Sequence, residues 1–210
     1  EEQFAILKQL LIKMDIAILE LAGFEADDII GTLAMIGAEK GYQTEIITGD
    51  RDAFQLVGPN VKVLYTKKGI SQLEAVDEAW IQQEYGLTPK DLIELKALMG
   101  DKSDNIPGIA GIGEKTGIKL IQKYQTLDNL YAHIDDEKGK QKEKLIAGKE
   151  AAFKSRMLGT IKLDVPWDGD FKELSFHNIF NAESIETLKE LEFKNILSRI
   201  DQTDTVETIE

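Results

Sequence analysis

Two hydrophobic periods alternate along the first third of the chain. Phe4, Leu7, Leu11 and Met14 recur at helical spacing, so the chain opens in an amphipathic helix. Residues 16–19 form a short continuous apolar run and predict a strand. Gly23 breaks that pattern, and Ala26, Ile30, Leu33, Ala34 and Gly37 then share one face of a helix that Gly41 closes. Residues 45–48 and 61–65 predict a second and a third strand. Strands alternating with helices point to an α/β sheet that is parallel or mostly parallel.

From Asp77 onward the pattern is helical only. Thr88-Pro89-Lys90-Asp91 predicts a helix start, with Thr as N-cap, Pro in the first turn and an acid three residues on. Leu92, Leu95, Leu98 and Met99 supply the buried face of that helix, and Gly100 ends it. A glycine-rich stretch over 108–113 leads into a helix over 115–124, with two or three more helices to about Leu158. Val165-Pro166-Trp167 predicts a loop, residues 185–200 a final helix, and the acidic residues 201–210 a linker or tail.

Composition narrows the chemistry. The 210 residues are 42% hydrophobic and 30% charged, which is globular rather than disordered. There is no cysteine, so disulfides, zinc–thiolate sites and thiol nucleophiles are excluded. With only His133 and His177, a histidine-rich metal site is not expected. No apolar run approaches a membrane span and no signal peptide opens the sequence, so the expectation is a soluble intracellular protein. The net charge of −13 argues against a polyanion partner unless the acids are gathered to hold cations. Their positions therefore matter more than their sum.

Three acidic clusters stand apart. Glu25, Asp27 and Asp28 open a helix and fall within one arc of it, an arrangement that helix-dipole stabilisation alone also favours. Asp50 and Asp52 follow a strand, at the carboxyl rim where open α/β sheets bind ligands. Asp101 and Asp104 lie in Gly100-Asp101-Lys102-Ser103-Asp104-Asn105, which also suits a helix C-cap and an Asx turn. Taken together, seven carboxylates in three turns repel unless a cation offsets them. Oxygen ligands without His or Cys select magnesium or manganese.

Two other patterns fail on context. Residues 108–116 imitate a phosphate-binding loop, but no strand precedes them and Lys115 is out of register. A calcium loop starting at Asp50 fails because Gln55 stands where the tight turn needs glycine. Gly111-Ile112-Gly113 does allow close approach of a ligand to the backbone and to the free N–H groups of the next helix, with Lys115 beside it. A basic stretch follows in Lys138, Lys140, Lys142, Lys144, Lys149, Lys154 and Arg156, set against Glu143 and Glu150. The combination has the character of a helix–hairpin–helix that grips a duplex backbone without reading sequence, although a basic run is also a common solvated helix face.

Gly23-Phe24-Glu25-Ala26-Asp27-Asp28-Ile29-Ile30, Thr48-Gly49-Asp50-Arg51-Asp52, and the run from Gly100 to Gly108 with Gly111-Ile112-Gly113-Glu114-Lys115-Thr116 closely resemble the flap-endonuclease family. Within that family they are most similar to the 5′→3′ exonuclease domains of bacterial DNA polymerase I. The resemblance covers nearly the whole chain in order. It implies an α/β fold with a partial parallel-sheet core of PIN or flap-endonuclease type, followed by an all-helical helix–hairpin–helix (helix–three-turn–helix) subdomain. The implied divisions are 1–80 for the core, 81–165 for the duplex-binding subdomain, 166–200 for a segment packing back on the core, and 201–210 for a linker.

The resemblance further implies that Glu25, Asp27, Asp28, Asp50 and Asp52, with Asp101 and Asp104, are catalytic and bind one or two ions of Mg2+ or Mn2+. Gly111, Gly113, Lys115, Thr116, Lys140 and Lys144 would hold duplex DNA, often around a potassium ion on backbone carbonyls. The implied chemistry is phosphodiester hydrolysis assisted by two metals, with no side chain as nucleophile. The implied substrates are DNA duplexes with a 5′ flap, nick or 5′ end, met in primer removal and repair. Polymerase domains in cis, a bacterial cytoplasm and the nucleoid complete the expectation, with no membrane. One departure accompanies it. That family opens with an apolar strand ending in Asp, a further metal-binding Asp and a basic arch, so this sequence reads as a fragment lacking that strand and arch.

Two functions compete with it, one a different enzyme and one from another class. A haloacid-dehalogenase-type phosphatase would use Asp50 and Asp52 as nucleophile and acid, Lys96 as its lysine, and Asp101 with Asp104 on metal. It requires its last motif at a strand end. A non-catalytic duplex-DNA-binding module would use residues 86–158 alone.

Overall fold

In the computed structural model of the chain, the described residues are 2–67, 72–175 and 178–203, with side chains to residue 200. The chain forms two compact units, one of residues 23–165 and one of residues 1–22 with 166–210.

The larger unit starts with helix α1's successor in the chain, α2 (Ala26–Glu39), preceded in sequence by α1 (Glu2–Lys13) of the smaller unit. Three strands follow: β1 (Thr44–Thr48), β2 (Val61–Thr66) and β3 (Leu73–Val76). β1 pairs parallel with β2, Ile46 opposite Val63, and β2 pairs antiparallel with β3, Val63 opposite Val76. The first two strands lie where the apolar runs predicted them. β3 was not foreseen, because its Leu73-Glu74-Ala75-Val76 is too short to show an alternation. A 3-10 turn over Arg51–Leu56 joins β1 towards β2 and seats Phe54, which meets Tyr65 and Trp80 edge-on at 5.4 and 5.6 Å. Phe54, Val63, Val76 and Ile81 centre the core of this region, each at most 1% exposed.

Helices α3 (Glu78–Tyr85), α4 (Asp91–Met99), α5 (Glu114–Tyr124), α6 (Leu127–Ala132), α7 (Gly139–Ala147) and α8 (Lys149–Gly159) complete this unit. They enclose a second core in which Leu98, Leu127, Leu130 and Leu145 are fully buried. α4 begins at Asp91 rather than at Thr88. Thr88–Lys90 forms the turn before it, closed by the Thr88 N–H donating to Asp91 Oδ2 at 2.8 Å. Met99, expected on its buried face, is 37% exposed, whereas Lys96 is buried. In α2 the expected face is buried at Ala34 and Gly37 and partly buried at Ile30 and Leu33, but Ala26 is exposed and the buried face widens to Gly31 and Thr32. The cause is residues 161–165, which lie across that helix. Thr32 Oγ1 accepts from the Val165 N–H at 3.1 Å, and a Cβ on Gly31 would stand 2.8 Å from Leu163.

In the smaller unit, residues 16–19 form no strand among the described residues. A strand needs a neighbouring backbone to pair with, and here the Ile16 N–H instead donates to the Leu11 carbonyl at 2.9 Å, closing α1 through Asp15 at φ +57°. The single final helix expected over 185–200 is two helices, α9 (Ala182–Glu190) and α10 (Lys194–Thr203). Glu192 at φ +57° breaks them, and the Phe193 N–H donates back to the Leu188 carbonyl at 2.9 Å. Asn181 caps α9 and also donates to the Lys13 carbonyl at 2.7 Å, fixing α9 to α1. Of the expected tail, residues 201–203 continue α10 and 204–210 lie outside the described residues.

Candidate metal centre

Asp52, Asp101 and Asp104 come from two loops far apart in the chain and meet at one point. Asp52 sits in the 3-10 turn just beyond the carboxyl end of β1. That turn is capped by Asp50, whose Oδ1 accepts from the Asp52 N–H at 2.8 Å. Asp101 and Asp104 sit in the loop after α4. The loop closes on itself through paired bonds between Asp101 and Ile106, at 2.9 Å from the Asp101 N–H and 2.7 Å from the Ile106 N–H. Asp101 Oδ1 also accepts from the Ser103 N–H at 2.8 Å and from its hydroxyl. One carboxylate oxygen from each of Asp52, Asp101 and Asp104 lies within 4.8 Å of the others. Among the described residues this is the one group of three such ligands.

The other four carboxylates of the sequence reading stand outside that group. Asp50 is exposed and Asp27 half-buried. Burial raises the Asp27 pKa above the usual aspartate range, and the charges of Asp50, Glu25, Asp28 and Asp104 raise it further. Asp27 therefore feels both the β1 end and the α4 loop. Asp28 is engaged with backbone: Oδ2 accepts from the Glu25 N–H at 3.2 Å and Oδ1 from the Lys162 N–H at 2.8 Å. With Glu25 as N-cap these bonds form a capping box, so this pair fixes the start of α2.

Lys96 is the residue that sequence reasoning assigned to the phosphatase alternative alone. Its Nζ contacts Asp52 and lies 3.3 Å from Asp101 and 2.9 Å from Asp104. Burial works against the ammonium, but hydrogen bonds to Asp52 and Asp104 overcome it and hold the pKa above the ordinary lysine range. For Asp52, burial pushes the carboxyl up and Lys96 opposes that. Hydrogen bonds from Ser103 pull Asp101 down, with burial against them. The signal that could have found Lys96 is a lysine between Leu95 and Ala97 on an otherwise apolar helix face, one turn before an acidic loop.

The set fits a hard divalent cation: its donors are all carboxylate oxygens, and the cationic group it already gathers shows that positive charge is favourable there. The phosphatase alternative falls at the same place, because Asp101 follows the helix α4 and not a strand.

The candidate DNA-holding residues form a separate surface. Gly113 is the N-cap of α5, with open space where a side chain would be. Lys115 and Thr116 occupy its first turn, the Thr116 N–H donating to the Gly113 carbonyl at 3.0 Å. Lys140 and Lys144 lie one turn apart on α7, and Lys144 donates to the Gly111 carbonyl at 3.2 Å. Elsewhere in the basic stretch Lys142 pairs with Asp135 at 2.7 Å and Arg156 with Asp128 at 2.6 Å.

Residues 1–86 match the family described as 5'-3' exonuclease, N-terminal resolvase-like domain, and residues 87–182 the family described as 5'-3' exonuclease, C-terminal SAM fold. The chain belongs to the 5′–3′ exonuclease family. The 5′–3′ exonuclease chain is 42% identical over 207 residues to DNA polymerase I of Bacillus caldotenax, covering 98% of this chain and 24% of that protein. It thus spans about a quarter of the length of that relative. The zinc-bound T5 5′-exonuclease superposes with a TM-score of 0.61 at 25% identity, over 76% of this chain and 61% of that one. The catalytic core of Rad2 in complex with DNA substrate shares the fold, with a TM-score of 0.62 at 21% identity over 90% of this chain and 64% of that one. The fold is that of the flap nucleases, a small α/β core followed by a helical subdomain. Among the described residues no helix is long and apolar enough to cross a membrane.

Proposed function

We propose that this 5′–3′ exonuclease domain hydrolyses phosphodiester bonds near the 5′ ends of duplex DNA, at flaps and nicks, with magnesium or manganese. The observation that carries the reading is the meeting of Asp52, Asp101 and Asp104 from two distant loops in a chain matched to the exonuclease family over both halves. Asp52, Asp101 and Asp104 would hold the divalent ions, one or two in number. Asp27 and Asp50 add negative charge beside them, and Glu25 and Asp28 position Asp27 through the α2 cap. When bound, the metal supplies activation of water and charge stabilisation at the leaving oxygen. No histidine or cysteine among these residues competes as a nucleophile.

The duplex would lie along Gly111, Gly113, Lys115 and Thr116, where free N–H groups at the α5 start meet phosphate, with Lys140 and Lys144 beside them. A potassium ion would sit on backbone carbonyls of this turn, where the Gly111 carbonyl accepts from Lys144 at 3.2 Å. If it is part of a DNA polymerase I, the domain would work beside polymerase domains in cis, in primer removal and repair, at the bacterial nucleoid. The division into a core over 1–80, a duplex-holding part over 81–165, a returning segment over 166–200 and a linker belongs to the same proposal.

The test is cleavage of a labelled 5′-flap duplex with magnesium, with manganese and with chelator. Metal-dependent release of 5′ fragments is expected. Duplex binding without cleavage in any metal would favour a non-catalytic binding module instead.

A further inference from the structure

We propose that the Lys96 ammonium is the built-in counter-cation of the acidic centre, standing among Asp52, Asp101 and Asp104 until a divalent ion displaces it. The inference rests on the reading of those carboxylates as metal ligands. It goes beyond that reading by giving the site a resident competitor.

Three observations carry it. Lys96 Nζ meets all three carboxylates of the cluster, in contact with Asp52, at 3.3 Å from Asp101 and at 2.9 Å from Asp104. Its side chain is 11% exposed, so the contact is not one conformer of a solvated surface lysine. Its stem also has a dedicated path. Lys96 runs past Gly159 at the end of α8, where a Cβ would lie 3.2 Å from Lys96 Cδ and 3.7 Å from Cε. A glycine at 159 thus leaves room for the lysine to reach the cluster.

The physical consequence follows from charge. Three carboxylates gathered within 4.8 Å repel one another, and one ammonium offsets part of that repulsion. A divalent ion offsets more, but it cannot share the same oxygens with an ammonium at contact distance without strong like-charge repulsion. Lys96 must therefore withdraw when the ion enters, and the two cations are linked as competitors for one set of ligands. Such an arrangement keeps the loops assembled before metal arrives and weakens the site's hold on metal.

The experiment compares the full chain with Lys96→Met, which keeps an apolar stem of similar length in the buried path. Free Mn2+ is titrated by electron paramagnetic resonance, and melting temperature is read with and without Mn2+. The variant is expected to melt lower than the parent in metal-free buffer and to bind Mn2+ about five- to ten-fold more tightly. It should also gain more melting temperature from Mn2+ than the parent does. Folding of the variant only in the presence of Mn2+ would be the extreme form of the same result. An equal loss of melting temperature with and without Mn2+, or weaker Mn2+ binding, would overturn the proposal and leave Lys96 a structural or preorganising residue.

A second measurement needs no variant. Lysine acetylation of the parent chain, followed by mass spectrometry, should label Lys96 slowly without metal and at least about five-fold faster with saturating Mn2+. Unchanged labelling of Lys96 while Mn2+ binds would overturn the proposal. A parent chain that binds no Mn2+ would overturn the metal-site reading itself, which separates the two failures.

Discussion

The backbone of Gly108 crosses that of Gly100 so closely that a Cβ on Gly108 would lie 2.2 Å from the Gly100 nitrogen. Both residues have positive φ, +73° at Gly100 and +57° at Gly108. The Gly108 N–H is anchored in turn on the buried Ser155 hydroxyl at 2.9 Å. This crossing closes the loop that carries Asp101 and Asp104 and ties it to α8. Gly108→Ala would meet both a disfavoured backbone region and a backbone clash. It is expected to cost about 3 kcal/mol of stability in urea denaturation and to weaken Mn2+ binding as the two aspartates lose their register. Full stability in the variant would show that the crossing relaxes easily.

Charge gathered for function is costly to the metal-free fold. Asp27 is half-buried and faces the charges of Asp50, Glu25, Asp28 and Asp104. Asp27→Asn is expected to raise metal-free stability at neutral pH by about 0.5 kcal/mol while lowering flap cleavage. Calorimetry and the cleavage assay check the two effects together, and a loss of stability would mean that Asp27 has a stabilising partner.

The proposed ligands Asp101 and Asp104 should behave differently from Asp27. Asp101→Asn keeps the size of the side chain and removes its charge. At least about a ten-fold loss of Mn2+ affinity is expected, no less than the lower end of what disturbing a metal's supporting groups costs. Asp104→Asn should do the same, and titration of Mn2+ by paramagnetic resonance measures both.

Glu137 offers a pH-dependent test away from the metal. Buried between α5 and α7, it accepts from Lys123 Nζ at 2.8 Å, the Tyr124 hydroxyl at 2.7 Å and Gln141 at 2.6 Å. The Lys123 and Tyr124 bonds hold its pKa below the ordinary glutamate range. A depressed acid stabilises the fold fully above the unfolded pKa of about 4.3 and loses that contribution as pH falls through the folded value. Glu137→Gln is therefore expected to cost about 1–2 kcal/mol at pH 7. The difference between wild type and variant should begin to shrink as pH falls below about 4.3 and vanish only below the depressed folded value, as followed by denaturation.

Lys115, in the first turn of α5, is expected to contact phosphate and not bases. Lys115→Ala should weaken duplex binding equally across sequences and reduce the slope of log affinity against log salt by about 0.9. Fluorescence anisotropy over a salt series on two unrelated duplexes measures this. A change in sequence preference would show that the α5 start reads bases.

The elements with strong local signals were legible from the chain. Residues 45–48 and 61–65 became a parallel pair because β-branched and apolar runs bounded by turn residues have few alternatives. Gly100 and Gly41 ended their helices at positive φ, as punctuation by glycine requires. Where a long-range partner was decisive, the pattern misled. The apolar run at 16–19 had the composition of a strand, yet its first N–H closes α1. The last helix read as continuous until Glu192 turned left-handed to fold Phe193 back on Leu188.

The acidic motifs and their family were set by residue type and spacing, since a run such as Gly100-Asp101-Lys102-Ser103-Asp104 carries its turn chemistry locally. Which carboxylates meet was decided by tertiary structure. Asp28 and Glu25 look equal to Asp52 in sequence, but backbone N–H groups at the α2 start and at Lys162 claim Asp28, whereas the crossing of Gly100 and Gly108 delivers Asp101 and Asp104 to Asp52. The place of Lys96 was likewise invisible along the chain. It depends on a path beside Gly159, 63 residues away in the numbering, and on the energy of assembled charges, which exists only once distant loops have been brought together.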